Sequence, residues 1–349
     1  MNSSPAFKNS IHPLSHLVRY IAFSLVVILV ITLGTTPSNA QQKKATALPL
    51  ERHYFSQPHL GTLVQIAFYS DDKKTARKLA RDCFKRVETL DKVFSDYRPD
   101  SEVSQLCSKP VNIACKISDD LFVVIEKAQE ISTATNGAFD ITLGHTTQRW
   151  RESARREKLL PNNKNTASYK DLVLDPKSKT LLMRKPLKID LGGIAKGFIA
   201  DQLMLVLKRA RIKQAAVVIG GEMVFTDSPP GKAGWTVGIE RPSHQILGSL
   251  TISNTALSTS GDSYQFFEQD DVRHAHLIDP STKNPKTNRL NVTTLAPSAI
   301  LADAWATALR VSDQEKALKL ARQKKEVKVL FIPFGEPAKF TTGFPKLRK

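Results

Sequence analysis

The sequence predicts an α+β fold built as one folded domain. Strand-like runs rich in β-branched and aromatic residues, at 63–68, 215–219 and 327–332, mix with amphipathic helical stretches without a regular βαβ alternation. The chain has 349 residues, 41% of them apolar and 24% charged, which suits a well-packed core. No internal repeat or low-complexity linker interrupts residues 50–349, so 53–349 reads as a single domain.

The N-terminus stands apart. Lys8 and Arg19 precede an apolar run from Ile21 to Leu33, followed by Gly34, Pro37 and Ser38-Asn39-Ala40. That is the order of a secretory signal: charged, apolar, then a small-x-small cleavage point before Gln41. The run falls short of the about 20 apolar residues that span a bilayer. Residues 1–40 are expected to direct export to the periplasm, with an uncleaved inner-membrane anchor as the alternative. Residues 41–52 read as a short linker.

The elements follow in order. Residues 63–68 form a strand, and Asp71 opens a helix reaching about Val93, with a loop over 95–101. Ser118-Asp119-Asp120 caps a helix whose apolar positions are Leu121, Val124, Ile125, Ala128 and Ile131, and Asn136-Gly137 supplies its left-handed stop. The charged, Asn-rich stretch 151–170 reads as a solvated helix plus loop. Short strands are expected at 172–174, 180–183 and 187–191, then an amphipathic helix over 195–211. Residues 215–219 run apolar into Gly220-Gly221, with further strands at 235–239 and 250–252. Helices over 299–311 and 313–324 precede a closing strand at 327–332.

Net charge is +18, and Lys8 and Arg19 are the only charges in the first forty residues, so the excess lies downstream. A basic surface favours anionic partners. The charges are scattered and no aromatic-studded basic stripe occurs, so nucleic acid is not an expected partner. Cys107 and Cys115 are close enough in sequence to bridge in an oxidising compartment, and Cys83 sits at helical spacing among Phe84, Val87 and Leu90 as a core residue. No CxxC or Cys/His zinc spacing exists.

Four stretches carry candidate chemistry. In Lys188-Ile189-Asp190-Leu191-Gly192-Gly193-Ile194-Ala195-Lys196-Gly197, two glycines lead into a helix with a lysine in its first turn. Glycines admit close backbone approach and helix-start N–H groups favour anions, so the pattern suits a pyrophosphate. A tight turn with a surface lysine is the plainer account. Asp303 and Thr307 lie four apart on a helix, so their oxygens face one way; Mg²⁺ takes such hard ligands. Ser258-Thr259-Ser260-Gly261-Asp262 precedes Arg273-His274-Ala275-His276-Leu277-Ile278-Asp279-Pro280. There His276 is either a general base or a structural histidine, and a His274–His276 metal pair lacks a third ligand. Asn136-Gly137-Ala138-Phe139-Asp140 places an aromatic and a carboxylate in a loop, fit for a heteroaromatic ring or for core and turn.

Taken together and in order, these stretches resemble the ApbE family of FAD:protein FMN transferases, from about Phe55 to the end. The shared pieces also include Leu60-Gly61-Thr62, Ser95-Asp96-Tyr97 with Ser101-Glu102, and Ile219-Gly220-Gly221. The resemblance implies a T-fold-related α+β domain with mixed or antiparallel sheets and packed helices. It implies an FAD site lined by Leu60, Tyr97, Ala138, Phe139, Asp140, Asp190, Lys196 and Leu277, and Mg²⁺ held by the Gly193 carbonyl, Asp303 and Thr307. It further implies transfer of FMN to a threonine of an acceptor flavoprotein subunit in a membrane redox complex, with AMP leaving and His276 as candidate base. That partner would bring the exported chain into peripheral contact with the membrane. Leu60 stands where the family commonly has Met, Ile141 where Pro is usual, and His145 where Pro often follows the glycine. The same site with water as acceptor would be an FAD pyrophosphatase. Without turnover it would be an exported flavin-binding protein, for which a metal set would be superfluous.

Overall fold

A computed structural model of the chain describes residues 49–161 and 165–349. The expected signal and most of the expected linker lie outside the described residues. Strand β1 (Glu51–His59) pairs along its whole length with β2 (Thr62–Ser70), so the last two residues of the expected linker, Glu51 and Arg52, lie in a strand. The sequence reading missed β1, whose burial is slight, with His53 its one buried residue.

Helix α1 (Lys73–Phe94) begins at Asp72, whose carboxylate accepts from the N–H groups of Lys74 and Thr75. Ala76, Leu79, Ala80, Cys83, Phe84, Val87 and Leu90 recur at helical spacing and are all buried. Helix α2 (Glu102–Cys107) and strand β3 (Cys115–Lys116) lead to α3 (Asp119–Ala134), capped by Ser118 and stopped where Asn136 and Gly137 turn left-handed. Helix α4 (Gly144–Arg156) is followed by the small hairpin β4 (Leu172–Asp175) and β5 (Thr180–Met183). Helix α5 (Ala195–Arg209) then precedes β6 (Ala215–Ile219), β7 (Glu222–Phe225), and the hairpin β8 (Trp235–Glu240) and β9 (Ile246–Ile252). Next come β10 (Thr255–Ser260), the hairpin β11 (Phe266–Gln269) and β12 (Val272–Ala275), and β13 (Leu290–Ala296). Helices α6 (Ala299–Val311) and α7 (Gln314–Gln323) and strands β14 (Lys328–Pro333) and β15 (Lys339–Phe340) complete the order.

Eight strands make one sheet in the order β1-β2-β6-β7-β10-β13-β14-β15, antiparallel at every pairing. Alternation along each strand sorts the side chains. Val64, Ile66, Phe68, Val217 and Ile219 face the main core with α1, α3, α5 and α6, whereas Ala67, Ala216 and Val218 face the opposite side. The β8–β9 hairpin covers that second side with Trp235, Val237, Ile239 and Leu250. This two-sided burial explains why β14 reads as a continuous apolar run, and β13 is buried at every position although it carries Asn291, Thr293 and Thr294. The α+β expectation holds.

Two local expectations change. Residues 187–191 are extended but form no strand. They meet residues 141–144 through Asp190 N to Ile141 O (2.8 Å) and Gly144 N to Lys188 O (3.0 Å), and the ladder stops because the partner turns into α4. All three cysteines are thiols; Cys107 Sγ accepts from Ile189 N, and burial holds the Cys83 thiol up at about 12. Among the described residues no helix is long and apolar enough to cross a membrane.

Candidate active site

One end of the large sheet gathers the turns that carry the motifs. The β1–β2 hairpin closes through Leu60 and Gly61, both with positive φ, a two-residue turn suited to the twist of the strands. Beside it lies the Gly220-Gly221 turn between β6 and β7: a Cβ on Gly220 would sit 3.2 Å from Thr62 Oγ1. Thr259 at the end of β10 follows, its N–H donating to Gly221 O (3.2 Å). The strand register thus brings Leu60, Glu222 and the 258–262 stretch onto one rim.

Two helices close over that rim. Asp201 on α5 accepts from Ala299 N and Ile300 N (both 2.9 Å), so a carboxylate of one helix satisfies the first turn of the other. The helices approach closely at Gly197, where a Cβ would fall 2.3 Å from Ala299 O and 2.8 Å from Asp303 Cβ. Only glycine fits there. The contact lets Gly197 N donate to Asp303 Oδ2 (2.9 Å). One helical turn on, a Cβ at Gly193 would meet Thr307 Oγ1 at 3.1 Å and Phe139 Cε2 at 3.2 Å. Gly193, Asp303 and Thr307 are therefore neighbours, as the sequence reading expects.

Lys196 lies among them. Its Nζ donates to Gly192 O (3.2 Å) and pairs with Glu222 Oε1 (3.3 Å). Burial opposes the charge, yet Glu222 and Asp303 outweigh it and hold the ammonium above the usual lysine range. Burial pushes the Glu222 carboxyl up to about 8 against the pull of Lys196, and Glu222 Oε2 is buried with no hydrogen-bond partner among the described residues. Burial likewise raises Asp303, a residue 2% exposed, against Lys196 and the Gly197 N–H. Asp303 Oδ1 and Thr307 Oγ1 take no hydrogen bond from the described residues. A carboxylate oxygen, a hydroxyl and the nearby Gly193 carbonyl form a hard-oxygen donor set that fits Mg²⁺.

A second group lies across the Gly192-Gly193 turn. Asp190 Oδ1 accepts from Gly192 N (2.7 Å), bracing the turn. Asp140 does not point a spare oxygen outward: Oδ1 binds Thr142 N and Oγ1, and Oδ2 binds Tyr169 N. It ties the 138–142 loop down, with Ala138 half-buried at the loop surface and Phe139 buried against Gly193. Tyr97 is 74% exposed, its ring under the Arg151 guanidinium.

His276 lies just beyond β12 and is half-buried. Its ring Nδ1 lies 3.2 Å from Gln265 O, so the neutral imidazole donates there and leaves Nε2 as an acceptor. Desolvation lowers its pKa to about 4, the Gln265 hydrogen bond opposes this, and Lys196 and Arg310 push it further down. His274 stacks on Phe267 within the β11–β12 hairpin instead. Leu277 is buried with Ala275 and Val311, so its side chain packs on the end of α6.

Sequence reasoning missed Glu222, Arg151 and Asp201. Glu222 had a signal, the single acid opening an otherwise apolar strand after Gly220-Gly221. Arg151 and Asp201 had none, because each sits among ordinary helix-surface residues.

A family model described as the ApbE family matches residues 60–331. The FAD:protein FMN transferase of Vibrio cholerae serotype O1 is 30% identical over 298 residues, covering 81% of this chain and 88% of that protein. That of Haemophilus influenzae is 28% identical, covering 82% and 89%. Among solved structures, the flavinyl transferase ApbE of Pseudomonas stutzeri in its apo form superposes with a TM-score of 0.76 at 25% identity, over 84% of this chain and 95% of that one. The ApbE protein of Thermotoga maritima gives 0.75 at 27% identity, over 84% and 97%. The family model spans more than half of the chain, and the superpositions extend over 84% of it: the chain belongs to the ApbE family.

Proposed function

We propose that this chain is an FAD:protein FMN transferase that moves the FMN half of FAD onto a threonine hydroxyl of an exported acceptor protein, with AMP as leaving group. The observation that carries the reading is the convergence of Lys196, Asp303, Thr307 and the Gly192-Gly193 turn on one rim. Its relatives named FAD:protein FMN transferase support the reaction. The hard-oxygen set supports Mg²⁺, which when bound would neutralise charge on the pyrophosphate.

The chain's own groups divide the work. The Gly192-Gly193 turn lets a pyrophosphate approach the backbone, and Lys196, held cationic by the acidic groups around it, offsets the negative charge that grows on the departing AMP phosphate. His276 Nε2 takes the proton from the attacking acceptor hydroxyl, since the ring is neutral across the physiological range. Tyr97, exposed in the loop after α1, offers aromatic surface toward the ring end of the substrate, and Phe139 backs the Gly193 turn from beneath.

The test is incubation of the protein with FAD, Mg²⁺ and a candidate acceptor domain, read by intact mass and AMP release. A gain of one FMN on the acceptor with matching AMP is expected. AMP without added mass would make the chain a pyrophosphatase, and neither signal would overturn the reading. The order of charges, apolar run and Ser38-Asn39-Ala40 supports export, for which a mature N-terminus at Gln41 is expected on sequencing. An intact Met1 on membrane-bound protein would replace cleavage with an anchor.

A further inference from the structure

We infer that Arg151 is a positioning residue of the dinucleotide site: its guanidinium holds Asp96, Tyr97 and Asp190 in one arrangement before substrate arrives. The inference deepens the flavin-transfer reading and rests on it. Arg151 comes from α4, in a stretch whose charge pattern looks merely solvated. Its Nη1 donates to Asp96 Oδ2 (2.6 Å), its Nη2 to Asp190 Oδ2 (3.3 Å), and its Cζ lies 3.9 Å from the centre of the Tyr97 ring. One planar fork thus binds the loop after α1, the segment before the Gly192-Gly193 turn, and an aromatic ring. A lysine, as a point charge, cannot reproduce that combination.

The fork is needed because the two carboxylates converge. Asp96 and Asp190 side chains are each 13% exposed, and Arg151 is 21% exposed between them. Burial and then the charge of Asp190 push the Asp96 carboxyl above its usual range, against the pull of Arg151. Without the guanidinium, two negative groups would face each other in partly desolvated space. Asp190 is the one with a second duty, since its Oδ1 holds Gly192 N at 2.7 Å. A connected path therefore runs from the exposed Tyr97 ring through Arg151 and Asp190 to the turn proposed for the pyrophosphate. The ring end and the phosphate end of the site are set by the same side chain.

The experiment titrates FAD into the wild-type protein and into Arg151→Met, Arg151→Lys and the double variant Arg151→Met/Asp96→Asn, with the thermal midpoint of each as a control. Loss of the fork should raise the FAD Kd by about 10- to 100-fold, the range typical when a group that orients binding residues is removed. Turnover at saturating FAD should change much less. Arg151→Lys should fall between wild type and Arg151→Met, and it also serves if the methionine variant does not fold. The double variant should bind FAD more tightly than Arg151→Met, because one of the two opposed charges is gone. Wild-type affinity in Arg151→Met or Arg151→Lys would overturn the inference. So would a double variant no better than the single one. Failure of the wild-type protein to bind FAD would overturn the flavin reading beneath it.

Discussion

Single residues in this site are governed by burial as much as by neighbours. Asp303 is a carboxylate enclosed by protein and bound on one side only, by Gly197 N. Asp303→Ala should cut FMN transfer by about 10²–10³-fold, as removal of one charge-stabilising group does, with a small change in melting temperature. Near wild-type turnover with unaltered Mg²⁺ dependence would take the metal set off α6. His276 shows a different effect. An unperturbed imidazole would give a rate rising with pH near 6.5, and the sequence permits no other expectation. Desolvation holds the ring at about 4, so the base form is present above that value and is lost only as pH falls through it. Transfer should therefore be flat from about pH 5.5 to 8, and His276→Asn should slow it about 10²–10⁴-fold at every pH in that window. A rise centred near 6.5 that the mutant abolishes would show the ring is not held low.

Elements decide which of these residues meet. Asp303 lies more than a hundred positions from Lys196, and they come together because α5 and α6 cross at a glycine and share the Asp201 carboxylate. Gly197→Ala would drive a methyl group into the Ala299 carbonyl. The strain should cost about 1–3 kcal/mol in denaturant unfolding. Because the same contact seats Asp303, transfer should fall as well; an unchanged rate in a destabilised protein would separate the helix crossing from catalysis. The strand expected at 187–191 illustrates the converse. Its residues are apolar enough, but they meet only a short loop before α4, so the ladder ends after one parallel bridge. Strand propensity is realised only where a partner of matching length exists.

At the scale of the whole molecule, the buried Lys196–Glu222–Asp303 group links the site to stability. Glu222 titrates near 8 in the folded protein and near the ordinary glutamate value once unfolded, so the folded state holds its proton more tightly. That contribution is fully present below about pH 4.3 and is lost as pH rises through about 8. Urea unfolding of metal-free protein should show stability declining across that window, and Glu222→Gln should flatten the decline. An identical slope in the mutant would mean Glu222 does not carry it.

The sequence by itself determined the α+β class, most helices and their caps, the Gly192-Gly193 turn with Lys196, and the Asp303–Thr307 pair. These are local properties: periodicity, capping side chains and residues four apart on one helix are set within a few positions of each other. Tertiary structure alone decided that β1 is a strand, that Glu222 faces Lys196, that Asp140 is spent on its own loop and Leu277 on α6, and that Arg151 joins Asp96 to Asp190. Each depends on strand register or helix crossing between distant segments. Desolvation, which moves Glu222 upward and His276 downward, exists only once those segments have closed around them.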